Sequence, residues 1–219
     1  MASYFNLTLD TLAPSGLSIL INDGATYTTS TTVSLKIALE DAATTGYQMK
    51  IWGTADAVSE SDASWQTFAA TKTVTIPSGD GLKTIYVKVR DDVGNESATA
   101  NDTITLDTAV AAVSITGPDK SKISKVSGYN SAAFSFTADR PFAEYKVCVV
   151  PAVNSLQDAG TVIPTTNGSS NTSGTGSYNA NTAINVTIKA ADLEAASSGD
   201  GVKIVKVFVK SESGIWSVA

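Results

Sequence analysis

The sequence predicts an all-β chain folded as two β-sandwich domains in tandem, the second a diverged copy of the first. Apolar residues come in short alternating bursts, the pattern of half-buried strands and not of long helices. One turn-and-strand segment occurs twice in the same register: Ser78-Gly79-Asp80-Gly81-Leu82-Lys83, ending at Gly94 and Ser97, and Ser198-Gly199-Asp200-Gly201-Val202-Lys203, ending at Gly214 and Ser217. The length of 219 residues accommodates two domains of about 100 residues each.

The boundaries follow from that repeat, at 1–108 for the first domain and 109–219 for the second. In the first, residues 33–38 alternate as a strand, residues 47–51 and 74–76 form two more, and the long strand after Gly81 sets Ile85, Val87 and Val89 on one face and Thr84, Tyr86, Lys88 and Arg90 on the other. Residues 102–108 close the domain. In the second, residues 132–138, 145–149 and 186–188 match the first three strands. Val205, Val207 and Val209 face inward, while Ile204, Lys206, Phe208 and Lys210 face outward. Two apolar residues thus stand where the first copy has Thr84 and Lys88, which predicts a covered face and makes Ile204 and Phe208 interface candidates. Cys148 aligns with Lys50 on an outer face, which reads equally as a partly accessible thiol or a small buried hydrophobe. Residues 167–181, made almost wholly of Asn, Gly, Ser and Thr, read as a long surface loop, with Tyr178 its one aromatic and a binding candidate.

The second domain has no counterpart of residues 102–108 before Ala219. The start of the chain reads as a strand and echoes that closing strand, Leu7, Leu9, Asp10 and Thr11 matching Ile104, Leu106, Asp107 and Thr108. An unpaired sheet edge is a template for strand addition, so Tyr4, Phe5, Leu7 and Leu9 become candidates for donation to the second domain of a neighbouring molecule; the alternative is that they belong to the first domain.

Charge and residue usage bound the function. A net charge of −6 and a pI of about 4.6 disfavour a nucleic-acid partner. The chain contains no histidine, which removes imidazole from acid-base chemistry, triads and metal binding, and its single cysteine allows no intrachain disulfide. No phosphate-binding loop is present and no cofactor is expected. Asp91, Asp92, Asn95 and Glu96 make an oxygen-rich turn, and Asp80 and Asp200 lie at Gly-Asp-Gly bends, weak candidates for Ca²⁺; turn chemistry already explains an Asp between two glycines, and the spacing matches no known calcium loop. Trp52 and Trp65 suit either stacking on sugars or core packing. No apolar run reaches the roughly 18 residues of a membrane span, so membrane insertion is not expected, and residues 1–10 lack the features of an export signal.

Residues 7–108 resemble the immunoglobulin-like repeat of bacterial surface proteins and bacteriophage structural proteins. The resemblance is carried by Leu9-Asp10-Thr11 with Ala13-Pro14, by Ile21-Asn22-Asp23-Gly24-Ala25-Thr26-Tyr27-Thr28, by Trp65 and Phe68, and by Gly79-Asp80-Gly81-Leu82-Lys83-Thr84-Ile85-Tyr86-Val87-Lys88-Val89-Arg90-Asp91 with Gly94-Asn95. It implies two tandem immunoglobulin-like β-sandwich domains serving as spacers or adhesive modules without catalysis. Residues 109–219 match more weakly, lacking the Asn-Asp-Gly-Ala-Thr-Tyr segment and carrying Ser211-Glu212-Ser213 in place of the aspartate-rich turn. Such modules normally work outside the cell, yet this sequence shows no export signal and keeps a lone thiol. The expected setting is therefore a bacteriophage virion, on capsid or tail, assembled in the host cytoplasm. Its expected partners are other virion proteins, copies of itself or host-surface glycans. The alternative is a bacterial cell-surface or adhesin fragment.

Overall fold

The computed structural model describes residues 3–41, 43–56 and 58–218. The chain divides into two compact units, Met1–Thr108 and Ala109–Ala219.

In the first unit, β1 (Ser18–Ile21), β3 (Thr32–Ala38) and β6 (Thr71–Thr75) form one antiparallel sheet, with β3 in the middle. The second sheet runs β2 (Tyr27–Thr28), β8 (Ala100–Leu106), β7 (Gly81–Arg90), β4 (Gln48–Gly53), β5 (Gln66–Thr67). The strictly alternating burial of β3 makes it a strand with one dry face: Val33, Leu35 and Ile37 are buried and their neighbours exposed. They meet Met49, Ile51, Ile85, Val87, Val89, Ile104 and Leu106 from the facing sheet, which completes a sandwich core. Between β1 and β2 the chain switches sheets through Asn22 and Asp23, both at positive φ, where Asn and Asp tolerate the left-handed region. The Asn22 side chain accepts the Ser34 N–H at 2.9 Å and so ties this corner to β3.

The second unit repeats the plan. Its first sheet is β9 (Val113–Thr116), β10 (Ser131–Ala138) and β14 (Ile184–Lys189), with β10 central. In its second sheet β11 (Phe142–Val150) carries β15 (Ile204–Lys210) on one edge, and β12 (Thr161–Val162) and β13 (Ser173–Tyr178) in succession along the other. A short helix, α1 (Ala190–Ala196), follows β14. The core holds Phe136, Phe142, Tyr145, Val147, Ile163, Val186, Val207 and Val209.

Two sequence expectations are corrected here. Residues 167–181 are not one loop, because β13 lies within them and pairs with β11. The tract has little apolar surface of its own, but its glycine supplies room. A Cβ on Gly174 would stand 2.6 Å from Tyr145 Cε1 and 2.5 Å from the Tyr178 hydroxyl, so the absent side chain lets both rings close over the strand. Nor is the start of the chain a strand: residues 3–17 lie outside every ladder, and the chain first pairs at Ser18.

Candidate interaction surfaces

On the outer face of the five-stranded sheet of the first unit, Trp52 from β4 stacks on Tyr86 from β7, ring centroids 5.7 Å apart. Trp52 is only 8% exposed, so it packs and does not present a free ring. Trp65 lies further along the same face, partly exposed, with the Arg90 guanidinium 4.4 Å and the Lys50 ammonium 5.1 Å from its ring centre. Arg90 is held in place by Gln48, whose Oε1 accepts from its Nε at 2.8 Å. Lys88 bridges Glu60 at 3.1 Å and Glu96 at 3.3 Å, and the Glu60 hydrogen bond raises its pKa above the ordinary value.

The turn after β7 shows what its acidic residues do. Asp91 is buried, and its Oδ1 accepts the N–H groups of Val93 and Asn95 at 3.0 and 2.8 Å while Oδ2 accepts from Asn95 Nδ2 at 2.7 Å. Burial alone would raise its pKa, but these donors outweigh it and hold the carboxyl below the usual range. Glu96 is engaged by Lys88, and Asp92 is exposed. Among the described residues, no three acidic, histidine or cysteine side chains gather as a metal site.

In the second unit the outer face of β11 and β15 is covered. Cys148 and Phe208 are both 0% exposed and cluster with Val150, Val162, Ile204 and Trp216. The cover is the segment between β11 and β12, where Gly160 comes so close that a Cβ on it would sit 2.7 Å from that of Cys148. Lys206 clamps the segment by donating to the carbonyls of Val153 and Ser155 at 2.8 and 3.0 Å. The covered-face expectation is met from within the unit. As interface candidates, Phe208 and the half-buried Ile204 are therefore corrected, and the open question about Cys148 resolves to a buried thiol that desolvation pushes up. Tyr178 is also corrected: it stacks on Phe142 at 4.8 Å and meets Tyr145 edge-on at 5.3 Å, as part of the core and not as the tip of a binding loop.

The other edge of β15 is open. In the first unit β7 lies between β4 and β8, whereas among the described residues β15 pairs in a ladder only with β11. Ser217 meets the start of that edge: its N–H donates to the Val209 carbonyl at 2.8 Å and its Oγ accepts the Val209 N–H at 3.1 Å, as Ser97 does for Val89 at 2.8 and 3.0 Å. By the two-residue period of a strand, the backbone groups of Val205 and Val207 point the same way. Beside them runs an apolar groove. One stretch, about 500 Å³, is lined by Val110, Val113, Ile115, Val205, Val207 and Val218; the next, about 650 Å³, is lined by Ile115, Phe134, Ile188, Leu193, Val202 and Val205, with Lys120 and Lys122 alongside. The sequence did not show this groove, whose walls come from five separate elements. Tyr4, Phe5, Leu7 and Leu9 are 90, 85, 86 and 86% exposed.

No protein-family model matches the sequence, and no curated protein matches it. Among solved structures, the fibronectin(III)-like modules of CbhA from Clostridium thermocellum are similar with a TM-score of 0.47 and 12% identity, over 91% of this chain and 89% of that one. A chitinase from Bacillus thuringiensis gives a TM-score of 0.33 and 13% identity over 92% of this chain and 30% of its own. The FN1–FN3 domains of chicken CNTN1 give 0.38 and 10% over 94% and 62%. The strand order and the two sandwich cores make this an all-β protein of two immunoglobulin-like units.

Proposed function

We propose that the chain is a non-enzymatic structural or accessory protein of a bacteriophage virion, a capsid decoration or tail component, with weak adhesion to host-surface carbohydrate. The observation that carries this reading is the chain's one thiol. Immunoglobulin-like arrays normally work outside the cell, where small domains are stapled by disulfides. Here both cores close by packing alone, and Cys148 is wholly buried as a reduced side chain. A virion protein reconciles the two, since it folds in the reducing host cytoplasm and acts after lysis. The absence of histidine and the burial of the only thiol support a role without catalysis. The Trp65 ring flanked by Arg90 and Lys50 is the surface best suited to a sugar, offering an apolar face with donors around it.

The test is fractionation. The protein carrying an epitope tag is produced in the cell that encodes it and followed through a density gradient of the lysate. Sedimentation with DNA-filled or tail particles is the expected result. Recovery with the cell envelope would reject the virion role in favour of a bacterial surface protein or adhesin. Binding to a glycan array, lost in Trp65→Ala, tests the adhesive part separately.

A further inference from the structure

We propose that the open edge of β15 is an acceptor groove for the N-terminal segment of a second copy of this chain, which lies along β15 as β8 lies along β7. This goes beyond the functional reading above and holds in either setting.

The first unit supplies the template. There β8 closes the sandwich with Asp102 opposite Ile85, Ile104 opposite Lys83 and Leu106 opposite Gly81, and Ile104 and Leu106 are each 1% exposed. The repeated segment places Ile85, Lys83 and Gly81 in correspondence with Val205, Lys203 and Gly201, and all three of these line the larger stretch of the groove. Matching Leu7, Leu9 and Thr11 to Ile104, Leu106 and Thr108 then sets Phe5 opposite Val205, Leu7 opposite Lys203 and Leu9 opposite Gly201. Residues paired directly across a ladder share a face, so all three apolar side chains turn inward over Phe134, Ile188 and Leu193.

Two further observations fit this register. The strand β7 spans ten residues because its first three, Gly81 to Lys83, pair with β8 beyond the end of β4; β15 spans seven and begins at Ile204, the corresponding three having no strand beside them. At the far end Thr108 donates both its N–H and its hydroxyl to Asp80 Oδ1, at 2.9 and 2.8 Å. The corresponding pair is Thr11 of the donor with Asp200, which also lines the groove.

The donor segment is suited to the task. Residues 3–9 carry no charge and lie outside every strand, and Asp10 brings a negative charge to a groove flanked by Lys120, Lys122 and Lys203. Seating Thr11 releases one 3.4 Å contact between Asn95 Nδ2 and the Asp10 carbonyl. Donation from chain to chain is head to tail and leaves an acceptor open at one end of every oligomer.

The experiment is light scattering of the 219-residue protein over a wide concentration range, beside a form lacking residues 1–10 and the double variant Leu7→Asp, Leu9→Asp. Both leucines are 86% exposed, so the double variant leaves the fold of the first unit intact. The expected result is a mass rising with concentration in multiples of 22.5 kDa for the parent and a constant monomer mass for each altered form. A synthetic peptide of residues 3–12 should bind the truncated form and raise its melting temperature in a dose-dependent manner, and the Leu7→Asp, Leu9→Asp peptide should not. A parent monomeric throughout, or multimers that survive both changes, would overturn the proposal. So would a monomeric parent whose melting temperature falls on truncation, since the segment would then serve its own chain.

Discussion

The carboxylate of Asp192 is wholly buried in α1 and organises the start of the glycine-rich tract. Its Oδ1 accepts the N–H and the Nδ2 of Asn167, both at 2.9 Å, and its Oδ2 accepts the N–H of Ser169 at 2.9 Å. In Asp192→Asn one oxygen still accepts from Asn167, but an amide nitrogen replaces the other and faces the Ser169 N–H, donor against donor. A buried donor left unpaired costs about 1–3 kcal/mol, and two bonds lose their charge assistance, so a loss of about 2–4 kcal/mol from the second unit is expected. Burial works to raise the Asp192 pKa, but the hydrogen bonds from Ser169 and Asn167 outweigh it and hold the group below its ordinary value. A carboxyl depressed in the folded state binds fewer protons there than in the unfolded chain. Its stabilisation is therefore complete above the unfolded value, about 3.9, and is lost as pH falls through the folded value. Urea unfolding of the full chain, followed at neutral pH and at several values below 5, reads both effects. A variant within about 0.5 kcal/mol of the parent at neutral pH, with the same acid sensitivity, would refute the assignment.

Three more expectations follow from the same geometry. Phe208→Ala should cost the second unit about 3–5 kcal/mol in urea unfolding, the range for emptying a fully buried aromatic site, whereas a residue on a free surface would cost less than about 0.5 kcal/mol. Cys148, buried and with its thiol pushed up, should react with Ellman's reagent only after denaturation; stoichiometric reaction of the native protein within minutes would contradict its place under the Gly160 segment. Asp91→Ser should leave the melting temperature of the first unit closer to the parent's than Asp91→Ala does, because a hydroxyl can still accept from the N–H four residues on; equal losses would show that charge and not the hydrogen bond matters.

Much of this architecture was legible in the sequence where one residue sets one feature. The alternation of Ile85, Val87 and Val89, repeated in Val205, Val207 and Val209, gave strand and face together, because a two-residue period admits one buried side. What escaped was contact made by the absence of a side chain. Gly160 covers Cys148, and Gly174 admits Tyr145 and Tyr178, by lacking a Cβ, and nothing in a tract of Gly, Ser and Thr names the ring that will fill the space. Phe208 was visible as an apolar residue on an outward face, but its neighbours Trp216 and Val162 reach it from elements that the alternation of its own strand does not name, so a partner was inferred where the unit supplies its own. The groove was hidden for a further reason: Ile115, Phe134, Ile188 and Leu193 converge only after three strands and a helix are in place.

The divergence between the two units locates what the repeat must preserve. Asp91 becomes Ser211, yet the turn is unchanged: Asp91 N donates to Asn95 O at 3.1 Å and Ser211 N to Ile215 O at 2.9 Å, while Asp91 Oδ1 and Ser211 Oγ accept the N–H four residues on at 2.8 and 3.0 Å. A carboxylate and a hydroxyl do the same work here, which assigns Asp91 to backbone closure with no need of a ligand. The clasp that follows is kept residue for residue, Ser97 on Val89 and Ser217 on Val209. That clasp aims the chain along the strand edge where β8 begins in the first unit. The second unit thus retains the features that lead a closing strand into place, and it has an apolar slot where the inward side chains of that strand would lie. A slot left to water exposes apolar surface with no offsetting gain; the donor segment proposed above would cover it with alternating apolar residues and bring its own backbone hydrogen bonds.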